Sequence, residues 1–182
     1  MSLEKPSYKS LNSVQKAKKF GNPVPPGFRG ETTTFTPPKE FQERIISYKT
    51  VLGGKKVFIS VNKLVAKQWE CFLKECDPYI LTYDGSYVPR LVRGTTLGTP
   101  SSHAFGTSMD FNAQWNPLGA KFRPGATGSV EKMVEVALKY QMYWGGWFTR
   151  VDCMHFESTM TDEELEKTGI DFGKDLLCEK LL

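Results

Sequence analysis

The chain contains two histidines, His103 and His155, and each stands close to an acid. His103 and Asp110 lie within SSHAFGTSMDFN (residues 101–112), and Asp152 and His155 lie within VDCMHFE (residues 151–157). Two imidazoles and one carboxylate make three protein donors, the number an open zinc site takes while keeping its fourth position free. Gly106 allows the backbone to turn between His103 and Asp110, so both side chains can reach one point. His155 can join them from a separate strand. Asp152 then supplies a carboxylate able to take a proton from water and pass it to a leaving amine. An offset of three places Asp152 and His155 on opposite faces of a flat strand, so this arrangement needs a turn or bulge between them, or Asp152 at the strand entrance beside Gly145-Gly146.

The elements that must hold these residues can be read from periodicity and turn chemistry. Residues 107–112 alternate, which puts Ser108, Asp110 and Asn112 on one strand face and Met109 and Phe111 on the other. Residues 56–61 (KVFISV) read as a strand, and Asn62 as the cap of a helix with Leu64, Val65, Trp69, Phe72 and Leu73 at helical spacing. Pro78 reads as a stop, residues 79–83 (YILTY) as a further strand, and residues 87–93 (YVPRLVR) as extended chain. Residues 116–128 form a polar connection. Ser129 is placed to cap a second helix carrying Val130, Met133, Val134, Ala137 and Leu138. WGGW (residues 144–147) breaks that helix, and residues 150–156 are a last strand candidate. Thr161 and Glu164 have the spacing of a capping box that opens a C-terminal helix. The expected fold is α+β: a small, mostly antiparallel sheet packed with two or three helices, with the metal-ligating residues on the sheet. Residues 1–40, rich in Pro, Gly, Lys and Thr, read as an extended N-terminal arm, and residues 41–182 as one domain.

SSHAFGTSMD (residues 101–110) resembles the S-x-H-x-x-G-x-A-x-D motif of the zinc D-alanyl-D-alanine carboxypeptidase and L-alanoyl-D-glutamate endopeptidase family. That family includes the vancomycin-resistance dipeptidases and several phage endolysins. WGGW followed by DCMHFE (residues 152–157) resembles its second motif, and the likeness runs over roughly residues 56–158. The resemblance implies a hedgehog/DD-peptidase-like fold with one zinc ion per chain held by His103, Asp110 and His155. It also implies Asp152 as general base and an arginine that grips the substrate, for which both Arg90 and Arg93 are candidates. Ser108 departs from the pattern, which usually has alanine there. An aspartate rather than a glutamate at position 152 resembles the endopeptidase branch, so the expected reaction is hydrolysis of the L-alanyl–D-glutamate bond of the peptidoglycan stem peptide. The alternatives are a D,D- or L,D-carboxypeptidase, or a non-catalytic zinc-containing module that binds wall or virion.

Composition agrees with this setting. At 182 residues the chain suits a single domain, and 40% hydrophobic with 24% charged residues is ordinary for a globular protein. The net charge of +4 suits an anionic partner such as the cell wall. No basic stripe is interleaved with aromatics, so no nucleic acid is expected, and no apolar run is long enough for a membrane span. Cys71, Cys76, Cys153 and Cys178 form no CxxC pair and read as reduced thiols, with Cys71 and Cys76 filling the core. Trp144, Trp147 and Phe105 are expected in the core, and Ser101 within the first motif's turn. The N-terminus lacks a signal-peptide core. The expected protein is a monomer made in the cytoplasm, acting at the bacterial wall after release or as part of a virion.

Overall fold

The computed structural model describes residues 3–30, 32–92, 98–173 and 176–182. Strands β1 (Ile45–Leu52) and β2 (Lys55–Asn62) pair as an antiparallel hairpin through the two-residue Gly53-Gly54 turn. A second antiparallel sheet has the order β3-β4-β6-β5, built from β3 (Tyr83–Gly85), β4 (Ser108–Phe111), β5 (Tyr143–Trp144) and β6 (His155–Glu157). Helices α1 (Ser13–Phe20), α2 (Lys39–Gln42), α3 (Ala66–Cys76), α4 (Glu131–Lys139) and α5 (Asp162–Glu166) complete the α+β fold among the described residues. No described helix is long and apolar enough to cross a membrane.

The core explains the arrangement. Trp69 and Phe72 project from α3 onto the inner face of the second sheet, where Phe72 meets Phe111 and Phe156 at ring-centroid distances of 6.0 and 5.4 Å. Ile59 and Val61 from β2 and Met133, Val134 and Ala137 from α4 enclose the same core, all without solvent exposure. Burial of each large apolar side chain is worth about 1.5–3 kcal/mol. All four cysteines are buried and free.

Four local expectations are corrected. Residues 79–83 are not one strand: Pro78 opens a 3-10 turn, Asp77–Tyr79, and pairing begins only at Tyr83. Proline lacks an N–H but fits the first turn of a helix. Residues 150–156 are also not one strand, because Asp152 to His155 form a turn and β6 starts at His155. Asn112 leaves the strand at φ +54°, and its side chain instead accepts from the Leu81 and Thr82 N–H groups. The capping box at Thr161 is formed in both directions, while Ser129 caps one position early, its Oγ accepting from Glu131 N–H at 3.3 Å.

Within residues 1–40 the chain is not extended throughout. Asn12 and Gln15 form a capping box that starts α1, and Phe20 at its end is fully buried in the main core.

The C-terminal residues are fastened by Glu70 of α3, whose carboxylate accepts from the Leu177 and Cys178 N–H groups at 2.7 and 2.9 Å. Burial works to raise this carboxyl, but the two backbone donors and Lys74 outweigh it and hold it below the ordinary glutamate range. The stabilisation is therefore present above the unfolded value near 4.5 and is lost as pH falls through the lower folded value. Glu70→Gln is expected to cost about 1.5–3 kcal/mol at neutral pH. It should also speed amide exchange at Leu177 and Cys178, and unchanged exchange there would show that this anchor is not used.

Candidate metal centre and active site

His103 sits in a 3-10 turn, Ser102–Phe105. Ser101 caps the turn through Oγ, which accepts from the His103 N–H at 3.4 Å. Gly106 ends it at φ +67°, where a Cβ would also lie 2.7 Å from Ile45 Cδ1 and 2.9 Å from the Asn62 nitrogen. Asn62 ties the turn down. Its backbone N–H donates to the Gly106 carbonyl at 2.8 Å, and its side-chain amide donates to Phe105 and Phe20 carbonyls at 3.2 and 3.1 Å.

Asp110 and His155 are brought together by strand pairing. They lie directly opposite one another in the β4–β6 register, next to the Met109–Phe156 pair that faces the core. His103, Asp110 and His155 offer three ligand atoms that all lie within 4.8 Å of one another.

The tautomer of His103 follows from its partner. His103 Nδ1 lies 2.6 Å from the Ser86 carbonyl, which only accepts, so Nδ1 carries a proton and Nε2 faces Asp110 Oδ2 at 3.2 Å. His155 Nε2 lies 3.3 Å from Glu157 Oε2, and Nδ1 faces Asp110 Oδ1 at 2.9 Å. His103 thus spends its Nδ1 proton on Ser86 and turns the lone pair of Nε2 toward Asp110, while His155 lies between two carboxylates that both accept. Acceptor facing acceptor requires a cation between them, either a proton or a metal ion. Ligand histidines that donate their other N–H to a carbonyl or carboxylate are the usual outer arrangement of a metal site. The donor set therefore fits a zinc ion.

The electrostatics agree. Burial alone would depress His155, but its hydrogen bonds to Asp110 and Glu157 and their charges outweigh this and raise it to about 9. Burial likewise works to raise Asp110, yet the two rings hold its carboxyl well below the ordinary range.

Asp152 reaches the same cleft because the segment turns. The His155 N–H donates to the Asp152 carbonyl at 3.1 Å, which closes the turn that spacing of three required. The Asp152 N–H donates to the Gly145 carbonyl at 2.9 Å, and the Trp144 indole N–H donates to the Cys153 carbonyl at 2.8 Å. WGGW is therefore the platform for DCMH. Asp152 Oδ1 is buried with no hydrogen-bond partner among the described residues. Burial pushes its carboxyl above the ordinary range, more than the charge of His155 pulls it down.

The cleft encloses about 700 Å³. Arg90 lines it, as do Val88, Leu118, Phe148 and Arg150. Arg93 lies outside the described residues. Arg150 was not singled out by the sequence, although it stands two positions before Asp152. Glu157 was also missed, and strand alternation from His155 was the signal that places it on the same face. Cys153 points away into the core.

Gly145 packs directly under the second motif: a Cβ there would lie 2.3 Å from the Asp152 carbonyl oxygen and 3.0 Å from His155 Cβ. Gly145→Ala is expected to destabilise the fold by about 1–3 kcal/mol, as overpacking does. It should also weaken zinc binding, and parental values for both thermal midpoint and affinity would contradict this packing.

A family model described as D-alanyl-D-alanine carboxypeptidase matches residues 95–158. The matched span is less than half of the chain and contains His103, Asp110, Asp152 and His155. No curated protein and no solved structure matches the chain. The segment that carries the cluster is thus similar to D-alanyl-D-alanine carboxypeptidases, which supports a peptidase with a metal-binding centre.

Proposed function

We propose that this protein is a zinc metallopeptidase that hydrolyses an amide bond in the peptidoglycan stem peptide, at the L-alanyl–D-glutamate junction. The observation that carries the reading is the His103–Asp110–His155 donor set sharing one cleft with the carboxylate of Asp152. A zinc ion held by those three residues would supply a Lewis acid that activates water and polarises the scissile carbonyl. Asp152 takes the proton of the attacking water on its carboxylate and delivers it to the departing amine, so that amide and water become acid and amine. Its raised pKa suits a group that must both accept and return a proton. Arg90 and Arg150 give the cleft positive charge for a substrate that carries carboxylates. Ser101 and Ser102 are not nucleophiles in this reading. The Ser101 hydroxyl caps the His103 turn, and the Ser102 hydroxyl donates to Glu157 at 2.8 Å.

Purified protein is expected to hold about one zinc per chain, the stoichiometry of a three-ligand catalytic site. Asp152→Asn should keep the metal and lose about two or more powers of ten in rate, whereas His155→Ala should lose both. Release of the metal by Asp152→Asn would make Asp152 a ligand and overturn the assigned roles.

Leu118, in the connection of residues 116–128, forms part of the cleft wall, as an extended peptide substrate requires. Mass spectrometry of digested wall is expected to show new D-glutamyl amino termini and L-alanine carboxyl termini left on the glycan. Release of single D-alanine from an intact stem would instead establish the carboxypeptidase reading, which the description of the matching family model favours.

A further inference from the structure

The carboxylate behind His155 belongs to Glu157, which has no solvent exposure. Four donors surround it. Lys16 Nζ and Ser102 Oγ each lie 2.8 Å from Oε2, His155 Nε2 lies 3.3 Å from the same oxygen, and Ser10 Oγ donates to Oε1. Lys16 projects from α1 and is only 3% exposed, and its Nζ also donates to Ser102 Oγ at 2.6 Å. A segment 141 positions earlier in the chain thus closes the rear of the His–Asp–His cluster.

Stability alone does not explain such a pair. A buried ion pair replaced by apolar side chains of similar volume is often neutral or even stabilising, because desolvating two charges offsets their attraction. What the pair does here is geometric. It holds Oε2 against the Nε2 edge of His155, which leaves Nδ1 as the ring atom facing Asp110. Ser102 adds a second tie, since it belongs to the turn that carries His103. One ammonium group therefore reaches the supports of both ligand histidines.

We propose that Lys16 is a positioning residue of the metal centre: through Glu157 it fixes the ring orientation and ligating nitrogen of His155, so that α1 is part of the site. This rests on the metal-binding reading above.

The test is zinc affinity of the full chain, measured by competition with a chelator, with cobalt as a spectroscopic probe of the ligand set. Lys16→Met is expected to weaken zinc binding by about 10–100-fold, the usual cost of losing an outer partner of a ligand, and to alter the cobalt spectrum. Lys16→Arg should recover most of the affinity. Thermal midpoints of the metal-free proteins separate lost stability from lost affinity. If Lys16→Met does not fold, the double variant Lys16→Met/Glu157→Gln, which leaves no unpaired buried charge, is expected to fold and show the same loss. Parental zinc affinity and cobalt spectrum in either folded variant would overturn the proposal. Absence of zinc binding by the parent chain would overturn the metal reading itself, and this inference with it.

Discussion

The site depends on the register between β4 and β6. Asp110 stands opposite His155 only while Met109 stands opposite Phe156, and that apolar pair is locked into the core beside Phe72. A slip of one residue would turn every side chain of a strand to the other face. Met109, Phe111 and Phe156 have no solvent exposure, and each contributes about 1.5–3 kcal/mol by its burial. The core face therefore chooses the register, and the polar face inherits its geometry. Aligning the donors requires little further energy once the apolar side is packed.

Holding so many polar groups in place does have a cost. Ser108, in the register opposite Glu157, buries its Oγ without a partner among the described residues, as do Thr107 and Ser158 nearby in the sheet. An unsatisfied buried hydroxyl costs about 1–3 kcal/mol. At position 108 the resembling motif has alanine, which would avoid that cost, and nothing in the structure explains the serine. Asp152 Oδ1 is also buried without a partner, but its carboxylate belongs to the cleft lining and carries the raised pKa that the proposed general base needs.

Much of the site was legible because its determinants are local. Ser101, His103, Gly106 and Asp110 fall within ten consecutive residues, where a cap, a left-handed glycine and strand alternation fix the geometry without reference to the rest of the chain. The Asp152–His155 spacing called for a turn or for a place beside Gly145-Gly146 at the strand entrance, and the structure has both. Sequence could not show Lys16 meeting Glu157, since only the tertiary fold joins residues so far apart. Proline and glycine content masked α1 within residues 1–40, although the Asn12–Gln15 capping spacing was there to be read. Strand β1 was missed for a related reason: its outward positions are mixed, and only Tyr48 and Leu52 are buried.

The charges of the cluster show why its parts belong together. Asp110, Asp152 and Glu157 are three carboxylates, and among the described residues Lys16 is the one ammonium buried beside them. Lys16 is spent on Glu157 at the rear, which leaves the negative charge of Asp110 in excess within the His–Asp–His cluster. In a poorly solvated site such an excess cannot stand uncompensated. Protons on the imidazoles can supply the missing charge, which is what raises His155 to about 9. A divalent cation held by His103, Asp110 and His155 would supply positive charge at the same place. Without Lys16, Glu157 would be left as a buried carboxylate with no ammonium partner, beside the ring of His155. The distant helix and the metal-capable residues thus belong to one network of charges.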